Sequence, residues 1–229
     1  MIEVIINKKE DYNTYRTFNN LEAGGINFGQ TIKNDHPNIR LGNYEKYIDD
    51  YYESNKEYIN KSLEETRNSI KQTEKIFFEQ IKKIFADDFS DKKYTGIISI
   101  FNSNPRYIDK GIFQFYYKKE VLRRLTTIYH EALHFIFFDY VNKNFHELVK
   151  DLDENSGKYW DLSEIFNVIV LNNPNLKEKL KLGITTPYPY HKKIIATFDS
   201  LWEESSHDIK KFVGKGLVIL DKTSSNIVQ

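Results

Sequence analysis

The chain has 229 residues, enough for one mid-sized domain, or one domain with a helical extension, around a sizeable core. Apolar residues make up 40% and charged residues 29%, with 33 basic against 33 acidic side chains, so nothing in the balance points to nucleic acid or an anionic membrane as the main partner. Cysteine is absent, which excludes disulfides and thiolate-bound metals and leaves His, Asp and Glu as metal ligands.

The opening IEVII (2–6) reads as a short strand. MIEVIINKKEDYNTY lacks a basic segment followed by a long apolar run, and no stretch approaches 18 uninterrupted apolar residues. The expectation is therefore a cytoplasmic protein with no membrane span, although a mature secreted chain would read the same way. Residues 7–43 are rich in Asn, Gly and charge and predict loops with little regular structure. From 44 to 86, Ile70, Ile76, Phe77, Ile81, Ile84 and Phe85 recur among Lys and Glu, which predicts one or two amphipathic helices. YTGIISIF (94–101) and GIFQFYY (111–117) predict two strands, adjacent and antiparallel if joined directly by NSNPRYIDK.

A helix is expected from about Lys119 to Val141. Beyond Leu125 it is apolar nearly all round, as a core helix is. Residues 142–158 are polar and predict a loop or frayed helix. DLSEIFNVIVLN (161–172) predicts a second buried helix, ended by Asn173-Pro174. TTPYPYH (185–191) is a proline-stiffened loop leading into a helix over KKIIATFDSLWEES, and a short apolar run, GLVIL, lies near the end.

The first buried helix carries YHEALHF (129–135). His130 and His134 are one turn apart on one face, so two imidazole nitrogens can reach one ion. Glu131 is the next residue round the helix, placed to take a proton from a water held by that ion. Three ionisable residues in so apolar a helix need pairing or coordination. The plainer alternative is two core histidines bonded to carbonyls, with Glu131 at the helix edge.

Two histidines need a third protein ligand, and Glu164 on the second buried helix is the first choice. Its rival role is a helix cap, with Asp161 at the N-cap and Glu164 reaching back three residues later. His146 with Glu147, Asp139, Asp153 and Glu154 are weaker candidates. Asp139 points about 140° away from His134 on a continuous helix, and the others lie in polar segments.

His130-Glu131-Ala132-Leu133-His134, followed by Trp160-Asp161-Leu162-Ser163-Glu164, resembles the gluzincin zinc metallopeptidases over roughly residues 94–205. That group takes its third ligand from a Glu on a later helix, often within Trp-Leu-(Ser/Ala)-Glu-Gly. Ile165 stands here in place of the Gly. Val168 stands where thermolysin-like members have an Asp that orients a histidine, leaving Asn167 as a substitute. The resemblance implies Zn2+ held by His130, His134 and Glu164, with Glu131 as general base. It implies a peptide or protein substrate laid along GIFQFYY as an edge strand, and an oxyanion stabilised by His191 or Tyr190. The fold it implies is α+β: a small mixed or antiparallel sheet packed on the buried His-Glu-x-x-His helix, with a mainly helical C-terminal lobe, zincin-like. Residues 1–93 would be an N-terminal region of a strand, loops and amphipathic helices, and 94–229 the zincin-like catalytic domain. Two other functions remain open: a metal-binding regulator or binding protein with narrow or no proteolytic activity, and a helical interaction protein in which the motif is coincidental.

Overall fold

The structure is a computed structural model that describes residues 1–23 and 25–225. It is α+β, with a small mixed sheet and helix over most of the rest. The residues cluster into two compact units, Met1–Lys75 with Ser90–Glu131, and Ile76–Phe89 with Ala132 onward.

The sheet belongs to the first unit. IEVII forms β1 (Ile2–Ile6), YTGIIS forms β4 (Tyr94–Ser99), and IFQFY forms β6 (Ile112–Tyr116). A two-residue hairpin, β2 (Glu22–Ala23) with β3 (Ile26–Asn27), stands apart from them, and β5 is the two-residue strand Arg106–Tyr107. The sheet order is β1-β4-β6-β5. β4 and β6 are neighbours as expected, but they run parallel. The reason lies in the connecting loop, where β5 pairs antiparallel with β6 through Arg106↔Phe113 and Tyr107↔Ile112. Gly111, at φ 61°, makes the reversal in the left-handed region. The chain thus turns twice between β4 and β6 and enters β6 in the direction of β4. Gly96 faces Phe113, whose ring would lie 2.9 Å from any Cβ there, so the aromatic side chain fills the space that the glycine leaves.

Residues 7–43 are more ordered than composition suggests. They contain α1 (Lys8–Phe18) and α2 (Phe28–Asp35) as well as the hairpin. The buried residues of α1 are Asp11, Thr14 and Tyr15, so no apolar stripe marks the helix. Asp11 is fully buried and gathers three donors. The Ser99 hydroxyl donates to its Oδ1 at 2.6 Å, and the Ile100 N–H and Tyr52 hydroxyl donate to Oδ2 at 3.0 and 2.8 Å. These bonds tie α1 and α3 (Tyr44–Ser54) to the end of β4. Burial pushes the Asp11 carboxyl up to about 6, against the pull of those donors. The amphipathic stretch expected after residue 54 is α4, Lys56–Phe85.

The core of the second unit surrounds α7 (Gly157–Asn172), which buries eleven of its residues, Leu162 and Ile165 through Leu171 among them. Phe166 packs its ring against Phe137 at 4.9 Å, Phe85 at 5.7 Å, Trp202 at 5.5 Å and Phe212 at 5.6 Å. Such pairs contribute roughly 0.5–1.5 kcal/mol each beyond their buried area. The GLVIL run lies within α10 (Ile209–Ser225). A Cβ on Gly216 would come within 2.7 Å of Leu162 and 3.0 Å of Phe198, so only glycine lets α10 approach this closely. Before it come α8 (Pro174–Leu180), with Pro174 at its first turn, and α9 (Ile195–Glu204). Among the described residues, no helix is long and apolar enough to cross a membrane.

Candidate metal centre

The long apolar helix is α5, Val121–Asn144. It continues three residues past the expected end and is followed by the single turn α6, His146–Val149. Ile128, Tyr129, Ala132, Leu133, Ile136 and Phe137 are all fully buried. On this helix the i, i+4 spacing puts His130 and His134 on one face. One ligand atom from each of His130, His134 and Glu164 lies within 4.8 Å of the others.

Glu164 reaches this cluster from α7. That helix begins at Gly157, so Asp161 is its fifth residue, and Ser156 holds the N-cap position. The capping alternative is thereby overturned: both carboxylates lie inside the helix, beyond the first-turn N–H groups that a cap satisfies. Glu164 is 2% exposed, and its Oε1 lies 3.3 Å from His134 Nε2.

The hydrogen bonds around His134 determine what that close approach requires. Ser163 donates its only hydroxyl proton to the Trp160 carbonyl at 2.8 Å. The same Oγ lies 3.1 Å from His134 Nδ1, so there it accepts, and Nδ1 carries the hydrogen. In the neutral ring Nε2 is then a bare lone pair, facing a carboxylate oxygen in a dry interior. Two acceptors at that distance repel unless a proton or a cation lies between them. The donor set of two imidazole nitrogens and one carboxylate is the set that divalent transition metals, zinc among them, accept. The residues therefore fit a metal ion.

Ser163 was not anticipated. The group on His134 Nδ1 is the Ser163 hydroxyl, and Asn167, expected to orient a ligand imidazole, is buried one turn further along α7. If this cluster holds a divalent metal ion, Ser163→Ala should weaken its binding by about 10–100-fold, because the tautomer and ring angle are no longer held. Competition titration against a chromophoric chelator measures this, and an unchanged affinity would remove Ser163 from the site.

Glu131 is 4% exposed and pairs with Arg106, whose Nη1 lies 3.4 Å from its Oε2. Arg106 sits on β5, in the loop that read only as a turn, so the sequence carried no signal for it.

His191 and Tyr190 come together with Asp161 rather than apart. His191 is fully buried and places Nε2 2.8 Å from Asp161 Oδ1, while the Tyr190 hydroxyl donates to the same oxygen at 2.6 Å. Burial raises the Tyr190 phenol well above its usual range, and its hydrogen bond to Asp161, with the charges of Asp161 and Glu164, pushes the same way. The phenol keeps its proton at any working pH. Since that one proton is given to Asp161, donation to a substrate requires the bond to switch.

GIFQFYY is not the outer strand along its first half. β5 pairs with Ile112 and Phe113, and the Gln114 N–H donates to the Pro105 carbonyl at 2.8 Å, so β5 takes the edge. The weaker ligand candidates serve locally: Asp153 accepts from the Asn155 N–H and the Ser156 hydroxyl, and Glu154 accepts from Asn142.

No protein-family model, curated protein or solved structure matches the chain.

Proposed function

We propose that this chain is a zinc-dependent metallopeptidase. The observation that carries the proposal is the buried approach of His134 Nε2 to Glu164 Oε1, with the tautomer set by Ser163 and His130 completing the donor set. A zinc ion held there would supply Lewis acidity, lowering the pKa of a water in its open position to about 7 and polarising a carbonyl.

The chain's own residues do the rest. His130, His134 and Glu164 hold the ion. Glu131, one residue from His130 on the same helix, accepts the proton of the attacking water and later delivers it to the leaving amine. Asp161 fixes His191 and Tyr190 beside Glu164's helix, and the Tyr190 hydroxyl, released from Asp161, would bond the oxygen on which charge develops. The low exposure of Glu131, His134 and Glu164 keeps bulk water from screening these groups.

One observation favours the second function, a metal-binding protein of narrow or no turnover. The Arg106 guanidinium holds one oxygen of Glu131, so a substrate must displace or share that contact before the base is available. A peptide-library assay separates the two. Purified protein should cleave library peptides, lose cleavage in the presence of a strong chelator, and regain it on addition of one equivalent of zinc. Bound zinc with no cleavage of any peptide would favour the second function, and cleavage indifferent to the chelator would defeat both.

A further inference from the structure

Aromatic rings gather on α7 one turn from Glu164. Trp160 and Asp161 precede Glu164 by four and three residues, so they share its side of the helix. The Trp160 ring lies 5.1 Å from that of Tyr188, and Tyr188 lies 6.4 Å from Tyr190. Trp160 and Tyr188 are half-buried and Tyr190 is 41% exposed, so the group stays open to solvent. The segment that carries the tyrosines is braced. Pro187 and Pro189 each fix a backbone angle. The Thr185 N–H donates to Asn172 Oδ1 at 3.0 Å, and Asn172 Nδ2 donates to the Thr185 carbonyl at 2.8 Å. Asp161 lies beside these rings with its side chain 19% exposed. Its Oδ1 accepts from Tyr190 and His191, while Oδ2 has no partner among the described residues. His191 does not cancel the carboxylate charge. Its Nε2 donates to Asp161, and its Nδ1 is buried without a partner. A second proton on that ring would make it a buried cation whose new N–H has no acceptor, so the ring stays neutral.

We propose that Trp160, Tyr188, Tyr190 and Asp161 form a subsite for a cationic group of the bound peptide, either a Lys or Arg side chain or a free N-terminus; this rests on the peptidase function proposed above. An apolar side chain would suit the rings, but it would cover Oδ2 and leave a charged oxygen dry and without a donor. A cation answers both parts of the site: ring faces attract its charge, and its N–H groups donate to Oδ2. Arginine fits best, because its planar guanidinium stacks on an aromatic ring and donates at its edge. One helical turn, about 5.4 Å, matches one to two residues of extended peptide, so the cation lies close to the bond that is cut.

The test uses the full, zinc-loaded chain, with binding read by calorimetry on Glu131→Gln protein so that turnover does not consume the probe. The probes are acetyl-Ala-Ala-Arg-Ala-Ala-amide, its versions with citrulline or phenylalanine in place of the arginine, and pentaalanine amide with a free or an acetylated N-terminus. A side-chain cation makes the arginine peptide bind at least about tenfold tighter than the citrulline and phenylalanine peptides. An N-terminal cation gives that factor between the free and acetylated pentaalanines instead. Trp160→Leu should shrink the factor severalfold, and Tyr188→Phe, which keeps the ring, should preserve it. Wild-type cleavage of random octapeptides, read by mass spectrometry, should show the matching preference: Lys and Arg near the cut bonds, or cuts confined to free N-terminal ends. Equal binding of charged and uncharged probes, or tightest binding of the phenylalanine peptide, would overturn the subsite, and the peptidase function would stand as long as octapeptides are cleaved. A charge preference in binding with no cleavage of any octapeptide would overturn the peptidase function and keep the cation site as that of a binding protein.

Discussion

Glu131→Gln is expected to leave metal binding intact and to reduce peptide hydrolysis by about 10²–10⁴-fold, the usual contribution of a positioned general base. Glutamine keeps the size and one acceptor oxygen, so Arg106 retains a hydrogen-bonding partner, but the amide cannot take a proton from water. Glu131 is outside the His130, His134 and Glu164 donor set, so zinc content should not fall. The two readouts must therefore separate. Hydrolysis at the wild-type rate in this variant would remove Glu131 from the chemistry. Loss of zinc along with activity would show a collapsed site instead.

The largest effect on stability is expected at Arg124, which is 2% exposed in the first unit. Its Nε donates to Thr66 Oγ1 at 2.8 Å, its Nη1 to the carbonyls of Tyr117 and Lys119 at 3.1 and 2.6 Å, and its Nη2 to Glu65 at 2.8 Å. Glu65 is 46% exposed, so that ion pair contributes little. The weight falls on the hydroxyl and the two carbonyls, which would be left buried without a donor. Arg124→Ala should lose about 3–5 kcal/mol, seen as a lower urea midpoint with an unchanged slope. Arg124→Lys should recover only part, since a single ammonium cannot span acceptors placed for a fork. A loss under about 1 kcal/mol for the alanine variant would mean that water or a shifted backbone satisfies those groups.

The parts of the fold that were legible are those where one physical signal dominates. β1, β4 and β6 are runs of β-branched and aromatic residues, α4 has an apolar stripe, and α5 and α7 are apolar nearly all round. The parts that were hidden depend on polar burial or on very short elements. α1 buries Asp11 and Thr14, so its inner face looks like a surface. β5 is two residues long inside a turn-like loop, yet it decides that β6 runs parallel to β4.

The centre divides in the same way. His130, Glu131 and His134 follow from helical spacing alone. Glu164 was ambiguous because Asp-x-x-Glu before an apolar run is also a capping signature. The ambiguity is removed by the start of α7 at Gly157, whose φ of 67° no propensity would place at a helix start. Ser163 and Arg106 act across 29 and 25 residues of sequence, a separation that local patterns do not report.

The most direct measurement is metal stoichiometry. Wild-type protein, stripped with chelator, reloaded with zinc and desalted, should retain one zinc per chain by elemental analysis. Glu164→Ala treated identically should retain a small fraction of that while keeping its far-ultraviolet circular dichroism. Wild type that holds no zinc, or Glu164→Ala that holds a full equivalent, would contradict the assignment of His130, His134 and Glu164 as a metal centre.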